Sequence, residues 1–296
     1  REKVILTTKL PVWLVKTHED MMKFLDEQLK KLDTPYVDFY ILHAMNNERM
    51  DAMQKLDYKR FYAEAIAQGK VRYPGFSFHD DAKAFLRILH DWDQWGMCQV
   101  QMNILDDENQ ATLEGIREAG RRGVGVVVME PLRGGLLANP PVDVKAVYDA
   151  YAVQRSPVEW GFRYLYAMPE VITILSGMST WAQVTDNLRI FDMAKRPTLT
   201  DEELALYQKV KATYLARTKT RCTGCKYCQP CPMGVQIPRI FQGYDAAMLR
   251  ADSSFKAGYA QIQADHADAS QCIHCRKCER ACPQHLPITR FLEEIH

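Results

Sequence analysis

No run of about 18 apolar residues occurs in this 296-residue chain, so no segment reads as a membrane-spanning helix. An excess of one charge sign is missing too: 38 Lys and Arg stand against 37 Asp and Glu, a net charge of +1. That balance argues against a nucleic-acid surface or an acidic tail. No secretory signal is visible, which points to a cytoplasmic protein and makes a disulfide framework a poor fit. An initiator Met is also missing. The chain opens at Arg1 and runs straight into the strand-like Val4-Ile5-Leu6-Thr7-Thr8, so the expectation is that it begins inside a domain. Cysteine is nearly absent from the first 221 residues, where Cys98 stands alone in an apolar segment and reads as a buried thiol.

The other eight cysteines all fall between Cys222 and Cys282. The first run reads Cys222-Thr-Gly-Cys225-Lys-Tyr-Cys228-Gln-Pro-Cys231-Pro232, and the second Cys272-Ile-His-Cys275-Arg-Lys-Cys278-Glu-Arg-Ala-Cys282-Pro283. The second matches the C-x2-C-x2-C-x3-C-P pattern that holds cubane clusters in bacterial ferredoxins; the first is one residue shorter before its last cysteine. Three thiolates at this spacing wrap one face of a cubane. The fourth points away, and the following Pro stops the loop from continuing. In two-cluster ferredoxins each fourth cysteine serves the other cluster. By that logic Cys222, Cys225, Cys228 and Cys282 hold one 4Fe–4S cluster, and Cys272, Cys275, Cys278 and Cys231 hold a second. Paired zinc sites compete for CxxC motifs, but zinc ribbons use two separated CxxC pairs and have no use for three consecutive turns plus Cys-Pro. His274, inside the second run, is assigned no role.

Ahead of the cysteines, short apolar strands alternate with amphipathic helices. Strands are expected at 4–8, 37–42, 71–76, 97–101, 125–129 and 171–175. Helices are expected at about 18–32, 58–68, 80–91, 107–121, 144–154 and 181–194, the first with Met21, Leu25, Leu29 and Leu32 on one face. Thr200 and Glu203 have capping-box spacing and start a further helix with Leu204, Tyr207, Lys211 and Tyr214. The boundary is placed near Thr218, giving a first domain of residues 1–217 and a two-cluster domain of 218–296. Between the cysteine runs, 238–250 and 255–262 read as helices that pack a small domain with little core of its own.

Six βα units make a parallel sheet. Eight would close a barrel, and two further units at about 30 residues each would have to precede Arg1. An open doubly wound sheet also accommodates six. Strand signals alone do not decide.

Several segments resemble the aldo/keto reductase family, and the whole chain resembles its subfamily with a C-terminal ferredoxin-type domain. They are Leu6-Thr7-Thr8-Lys9, Val37-Asp38-Phe39-Tyr40-Ile41-Leu42-His43, Gly69-Lys70-Val71-Arg72-Tyr73-Pro74-Gly75-Phe76-Ser77, Gln99-Val100-Gln101, Glu130-Pro131-Leu132-Arg133-Gly134-Gly135, and Leu175-Ser176-Gly177-Met178-Ser179 continuing to Asn187. The resemblance implies a (β/α)8 TIM-type barrel, six of whose units are present, followed by a small α-rich ferredoxin-type domain. It further implies an NAD(P)(H)-dependent oxidoreductase that moves a hydride between nicotinamide and a small carbonyl or alcohol. Lys9 and His43 match the family's catalytic lysine and histidine, each expected directly after a strand. The catalytic tyrosine and its aspartate would lie upstream of Lys9. Tyr36 and Tyr40 are in the wrong places to replace them, so the chain alone is expected not to reduce carbonyls.

By the same resemblance, Ser77 and Gln99 hold the carboxamide, and Met129 stands where many members stack an aromatic residue on the nicotinamide. Leu132 and Gly134 lie in the loop over the pyrophosphate. Ser176, Gly177 and Ser179 lead into a helix N-terminus suited to phosphate. Gln183, Asp186 and Asn187 match the adenosine end; Gln183 replaces the arginine that many NADP-preferring members carry, which leaves NAD and NADP both open. Trp13, Trp92 and Trp95 read as pocket-lining or packing residues. A nicotinamide moves two electrons together and a cubane one, and no flavin signature is present, so either a flavoprotein or other electron-transfer partner bridges the halves, or the clusters stabilise the fold or sense redox state. The alternative is an electron-transfer or redox-regulatory iron–sulfur protein with a catalytically silent barrel.

Overall fold

Six parallel strands, β1 (Thr7–Leu10), β2 (Val37–Met45), β3 (Val71–Phe78), β4 (Met97–Gln101), β5 (Gly125–Met129) and β6 (Val171–Ile174), each pair with their sequence neighbours in the order β1-β2-β3-β4-β5-β6. The computed structural model describes the chain except for Glu2, residues 193–195, Thr223, Cys225, Pro283 and Gln284. Helices α1 (His18–Lys31), α2 (Asn47–Lys55), α3 (Tyr58–Ala67), α4 (Ala82–Asp91), α5 (Thr112–Arg121), α6 (Val142–Asp149), α7 (Pro157–Tyr166) and α8 (Trp181–Phe191) are spaced among and after them. Strict neighbour order with a helix in every crossover is the pattern of a barrel wall, since a doubly wound sheet reverses its strand order at a switch point. Among the described residues β1 and β6 each pair on one side only.

Residues in register on parallel strands share a face. One face carries Ile41, opposite Gly75, which lies opposite Met97, which in turn lies opposite Gly125. Ile41, Met97 and Val127 form a buried apolar cluster with Phe39 against it, a layer of the kind that fills barrel interiors. Gly75 is there because nothing larger fits. A Cβ on it would stand 2.8 Å from both Ile41 Cγ2 and the Met97 carbonyl oxygen, and the second cannot swing aside. Gly75→Val is therefore expected to cost about 2 kcal/mol through overpacking, read as a lower denaturation midpoint; an unchanged midpoint would mean the layer has spare room.

The other face of the sheet is covered by helices. Tyr40, Leu42, Phe76, Cys98, Val126 and Val128 are fully buried there, and burial pushes the Cys98 thiol up to about 12. Trp95 stacks on Tyr58 at 5.6 Å and meets Trp92 at 5.1 Å, so both tryptophans belong to the packing beneath α3 and α4.

Several expected boundaries move. β1 starts and ends later than expected, β2 and β3 run two to three residues further, and α4 and α5 begin later. Leu32 is the 42% exposed C-cap of α1, so its buried face is Met21, Leu25 and Leu29. Helices α2 and α7 were not expected: α2 buries only Met50 and Met53, too few positions to display a period. Ala194, in the expected helix 181–194, lies outside the described residues.

The chain divides into two compact units, Arg1–Leu137 with Val158–Leu199, and Ala138–Pro157 with Thr200–His296. The second contains α6, α9 (Asp201–Ala216), α10 (Ile237–Arg250), α11 (Ser254–Ala264), α12 (Lys277–Ala281) and α13 (Ile288–Ile295). Helix α9, on the barrel side of a boundary at residue 218, thus groups with the second unit. Its capping box forms as expected, with Thr200 accepting from Glu203 N. Its buried face, however, is Glu203, Leu206, Tyr207, Val210 and Tyr214, while Leu204 is 44% exposed. Buried Glu203 explains the shift: its carboxylate pairs with Arg155 at 2.6 Å, beyond the end of α6. Helices α10, α11 and α13 contribute Ile240, Phe241, Ile262, Phe291, Leu292 and Ile295 to a separate small core.

Candidate functional site

Towards the C-terminal ends of the strands the register positions on the interior face turn polar. Lys9 is opposite Ile41, Ser77 opposite Gln99, and Gln101 opposite Met129. Lys9 and His43 do not follow their strands, as expected from sequence, but lie inside β1 and β2 near their ends. The correction has a physical cause. The β2–β3 register slips between Leu42 and Met45, and Ala44 takes φ +54°, so a bulge lengthens the strand and re-aims the chain around His43. Ser77 holds that bulge, its hydroxyl oxygen accepting from Ala44 N at 2.7 Å.

Positive charge collects here. Partial burial lowers the Lys9 ammonium from its ordinary value. The His43 imidazole is lowered first by burial and then by Lys9, His79 and Arg49. It is therefore neutral near pH 7, with one ring nitrogen able to donate and the other to accept. The Trp13 ring sits 5.0 Å from that of His43, and the Arg49 guanidinium stands 5.3 Å over Trp13. Sequence reasoning missed Arg49 and His79. His79 follows β3 directly, the signal that singled out Lys9 and His43, but it lies outside the quoted family segments. Trp13, half exposed beside His43, is the one tryptophan of the three considered that reaches this end of the sheet. Tyr40, by contrast, packs on Phe61 on the helix-covered face, and Tyr36 lies between Arg1 and Arg72, so neither reaches Lys9.

Ser77 and Gln99 are both nearly buried, at 1% and 5% exposure, and side by side in register. Gln99 Nε2 is 3.4 Å from the sulfur of Met129, so these two expected nicotinamide neighbours also meet. The loop after β5 is anchored from β4. Buried Asp106 accepts from Gln101, Asn103 and Asn109 and pairs with Arg133, while Asn103 Nδ2 donates to the Glu130 carbonyl. That network sets the loop bearing Leu132 and Gly134. Gly134 has φ +61° and nothing within 4 Å of a Cβ position, and Leu132 packs against Gly161.

The expected adenosine and phosphate residues are brought together on and before α8, all in exposed or half-exposed positions. Gln183 closes a capping box with Thr180 and accepts from Ser179 N at 2.7 Å. Asn187 donates to Ser176 Oγ at 2.9 Å, and Asp186 pairs with Arg189. Gly177 has open space around it.

In the second unit the two cysteine runs wind alike. Gly224 and Lys226 have φ +71° and +65°, and the matching His274 and Arg276 have +55° and +56°. The likeness extends beyond the last cysteine of each run, which sequence reasoning missed. Gly234 N donates to the Cys231 carbonyl and His285 N to that of Cys282; Ile237 N donates to Val235 and Ile288 N to Leu286. Each run then enters a helix, α10 or α13. The signal was present as Cys-Pro-x-x-(Val or Leu)-x-Ile in both places.

A cavity of about 160 Å³ in this unit is lined by Cys228, Cys231, Cys272, Cys275 and Cys278. The last cysteine of the first run thus shares a wall with the first three of the second, across about 40 intervening residues. Cys231, Cys272, Cys275, Cys278 and Cys282 are thiols in no disulfide. Burial pushes the Cys278 thiol up to about 11, so a thiolate there needs a cation beside it. A soft, sulfur-only donor set around a cavity fits an iron–sulfur cluster. Cys225 and Pro283 lie outside the described residues. His274 pairs with Glu293 at 3.4 Å. Among the described residues no helix is long and apolar enough to cross a membrane.

Residues 1–212 match the model of the aldo/keto reductase family, and residues 221–286 match the 4Fe-4S dicluster domain. No curated protein matches the chain. The holo form of aldo-keto reductase AKR11C1 from Bacillus halodurans superimposes with a TM-score of 0.59 at 26% identity, covering 71% of this chain and 73% of its own. The thermostable aldo-keto reductase Tm1743, solved with the inhibitor epalrestat, gives 0.56 at 25% identity, covering 71% and 72%. An aldo/keto reductase from Klebsiella pneumoniae, solved with NADP and acetate, shares the fold at 21% identity and a TM-score of 0.53, covering 71% of each chain. With the neighbour-ordered sheet, its polar strand-end residues and the cysteine runs that follow in sequence, the chain belongs to the aldo/keto reductase family, as an oxidoreductase extended by a 4Fe–4S ferredoxin-type domain.

Proposed function

We propose that this chain is an NAD(P)-dependent oxidoreductase acting on a small carbonyl or alcohol, with two 4Fe–4S clusters in residues 218–296 and an electron-carrier protein as partner. The observation that supports it most is the register pairing of Ser77 with Gln99, buried side by side on the interior face that also carries Lys9 and His43. A carboxamide offers one acceptor and two donors, and this pair presents the complement. When bound, the nicotinamide supplies a hydride for a carbonyl carbon.

The residues assigned here bind and orient the reactants, while the proton that the carbonyl oxygen needs comes from a donor outside this set. Neutral His43 donates to the carbonyl oxygen and orients it, and Lys9, lowered by burial, places positive charge where negative charge develops. Met129 covers the nicotinamide with a polarizable thioether. Leu132 and Gly134 close over the pyrophosphate, and Ser176, Gly177 and Ser179 present backbone N–H groups to phosphate at the start of α8. Gln183, Asp186 and Asn187 meet the adenosine, after exchanging their present internal hydrogen bonds for it.

The test is dinucleotide binding by nucleotide fluorescence, independent of turnover. NADPH or NADH is expected to bind, and Gln99→Leu is expected to weaken binding about tenfold by leaving a carboxamide group unpaired. Iron uptake without dinucleotide binding would instead favour an electron-transfer protein with a silent barrel.

A further inference from the structure

The cavity lined by Cys231, Cys272, Cys275 and Cys278 opens to an unusual surface. Three large apolar side chains on its wall face solvent: Tyr227 at 69%, Ile273 at 60% and Met233 at 41% exposure. Cys275 is itself exposed. Arg276 and Lys277 line the same cavity, and Lys226 and Arg280 are exposed next to lining residues. From 221 to 231 and from 272 to 282 the chain carries five cations (Arg221, Lys226, Arg276, Lys277, Arg280) and one carboxylate, Glu279. Glu279 is occupied by Thr289, whose N and Oγ1 both donate to it, with Arg276 3.9 Å away. The acids of α13 are taken as well, Glu293 by His274 and Glu294 by Lys219 and Arg290. Lys226, Lys277 and Arg280 form no ion pair among the described residues. An apolar centre with a rim of one charge sign is the composition of an interface that steers its partner by charge.

We infer that this face is the docking site for an acidic one-electron carrier protein, and that the cluster in the cavity is its electron port. The inference rests on the proposed clusters. Sign selects the partner, because cations rimming an apolar patch repel a basic carrier and raise the local concentration of an acidic one. Exposure selects the port, since the ligand loop itself, through Cys275 and Ile273, forms the contact. One electron leaves the reduced carrier and one ferric equivalent of the cluster is reduced; no bond forms or breaks and no proton moves.

Stopped-flow reduction of the iron-loaded, anaerobic full chain by a reduced acidic flavodoxin, followed by cluster bleaching, tests this. The second-order rate is expected to fall steeply as salt rises, and Lys226→Glu with Lys277→Glu to slow it more than tenfold at low salt. Lys256→Glu, exposed on α11 and off the cavity, is expected to leave it unchanged. Reduction by dithionite separates docking from a shifted potential: an equal slowing with both reductants overturns the docking site. So would a salt-independent rate with flavodoxin, or a salt-sensitive dimer of this chain that buries the patch. A chain that takes up no iron fails earlier, at the proposed clusters, and is recognised by metal analysis before any rate is measured.

Discussion

Cys231→Ala combined with Cys275→Ala is expected to leave about four of roughly eight irons per chain if, as proposed, there are two clusters and both cysteines serve the same one. If each run instead held its own cluster, the same double variant would damage both and drive iron towards zero. The cavity is the reason for the first outcome: Cys231, with its neighbour Cys228, lines it together with Cys272, Cys275 and Cys278, although about 40 residues of chain lie between Cys231 and Cys272. Cys228→Ala with Cys282→Ala is expected to be the mirror case, with the surviving iron now at the second run. Metal analysis and the EPR signal of the reduced protein read both. Stoichiometric zinc in place of iron would remove the cubane assignment altogether. Loss of either cluster is also expected to lower the stability of this unit, since the apolar core packs directly on Cys222, Cys228, Cys231, Cys272, Cys278 and Cys282.

Asp245→Ala is expected to destabilise the second unit by about 3 kcal/mol and to release iron first from the cluster of the first run. Asp245 sits on α10 at 8% exposure, and its carboxylate accepts four hydrogen bonds. They come from Lys219 N at 2.9 Å, Thr220 N at 3.0 Å, Thr220 Oγ1 at 2.7 Å and Arg221 N at 2.6 Å. Thr220 Oγ1 in turn accepts from Cys222 N at 3.2 Å, so one carboxylate sets the backbone that delivers the first ligand. Alanine strands three backbone donors and a hydroxyl in a buried place. Asp245→Asn keeps one acceptor oxygen but brings an NH2 against those donors, and is expected to fall in between. Urea unfolding measures the stability, and the residual EPR spectrum shows which cluster goes. Iron lost equally from both runs would mean that Asp245 supports the unit as a whole and not the Cys222 loop.

Much of the site was written in local spacing. Three cysteines two residues apart, a Pro after the fourth, and Thr200 three residues before Glu203 define short loops and caps whose geometry covalent distances nearly dictate. The strands at 97–101 and 125–129 were legible from side-chain type, because the three valines of 126–128 restrict the chain to extended conformations and Met-Cys-Gln-Val-Gln is a short apolar-polar stretch that fits a strand. Helices α2, α12 and α13 were not legible. Helix α2 buries two residues and α12 none, so neither could show a period; α13 carries Ile288, Phe291, Leu292 and Ile295 at helical spacing, but over only eight residues directly behind a cysteine loop. Repetition of the loop beyond Cys231 and Cys282 was present in the letters but became recognisable through matched backbone angles and hydrogen bonds.

By itself, then, the amino-acid order determined the αβ alternation, the sulfur-only donor set and the identity of the polar residues near strand ends. Tertiary structure decided which of them meet. Ser77 stands beside Gln99 only because β3 and β4 pair in one register, and the surroundings of His43 depend on a bulge that slips β2 by a residue. Cys231 joins the second run only because α10, α11 and α13 fold onto one core. Register and helix packing are set by the sum of contacts across the whole sheet or core, and no window of neighbouring residues contains that sum.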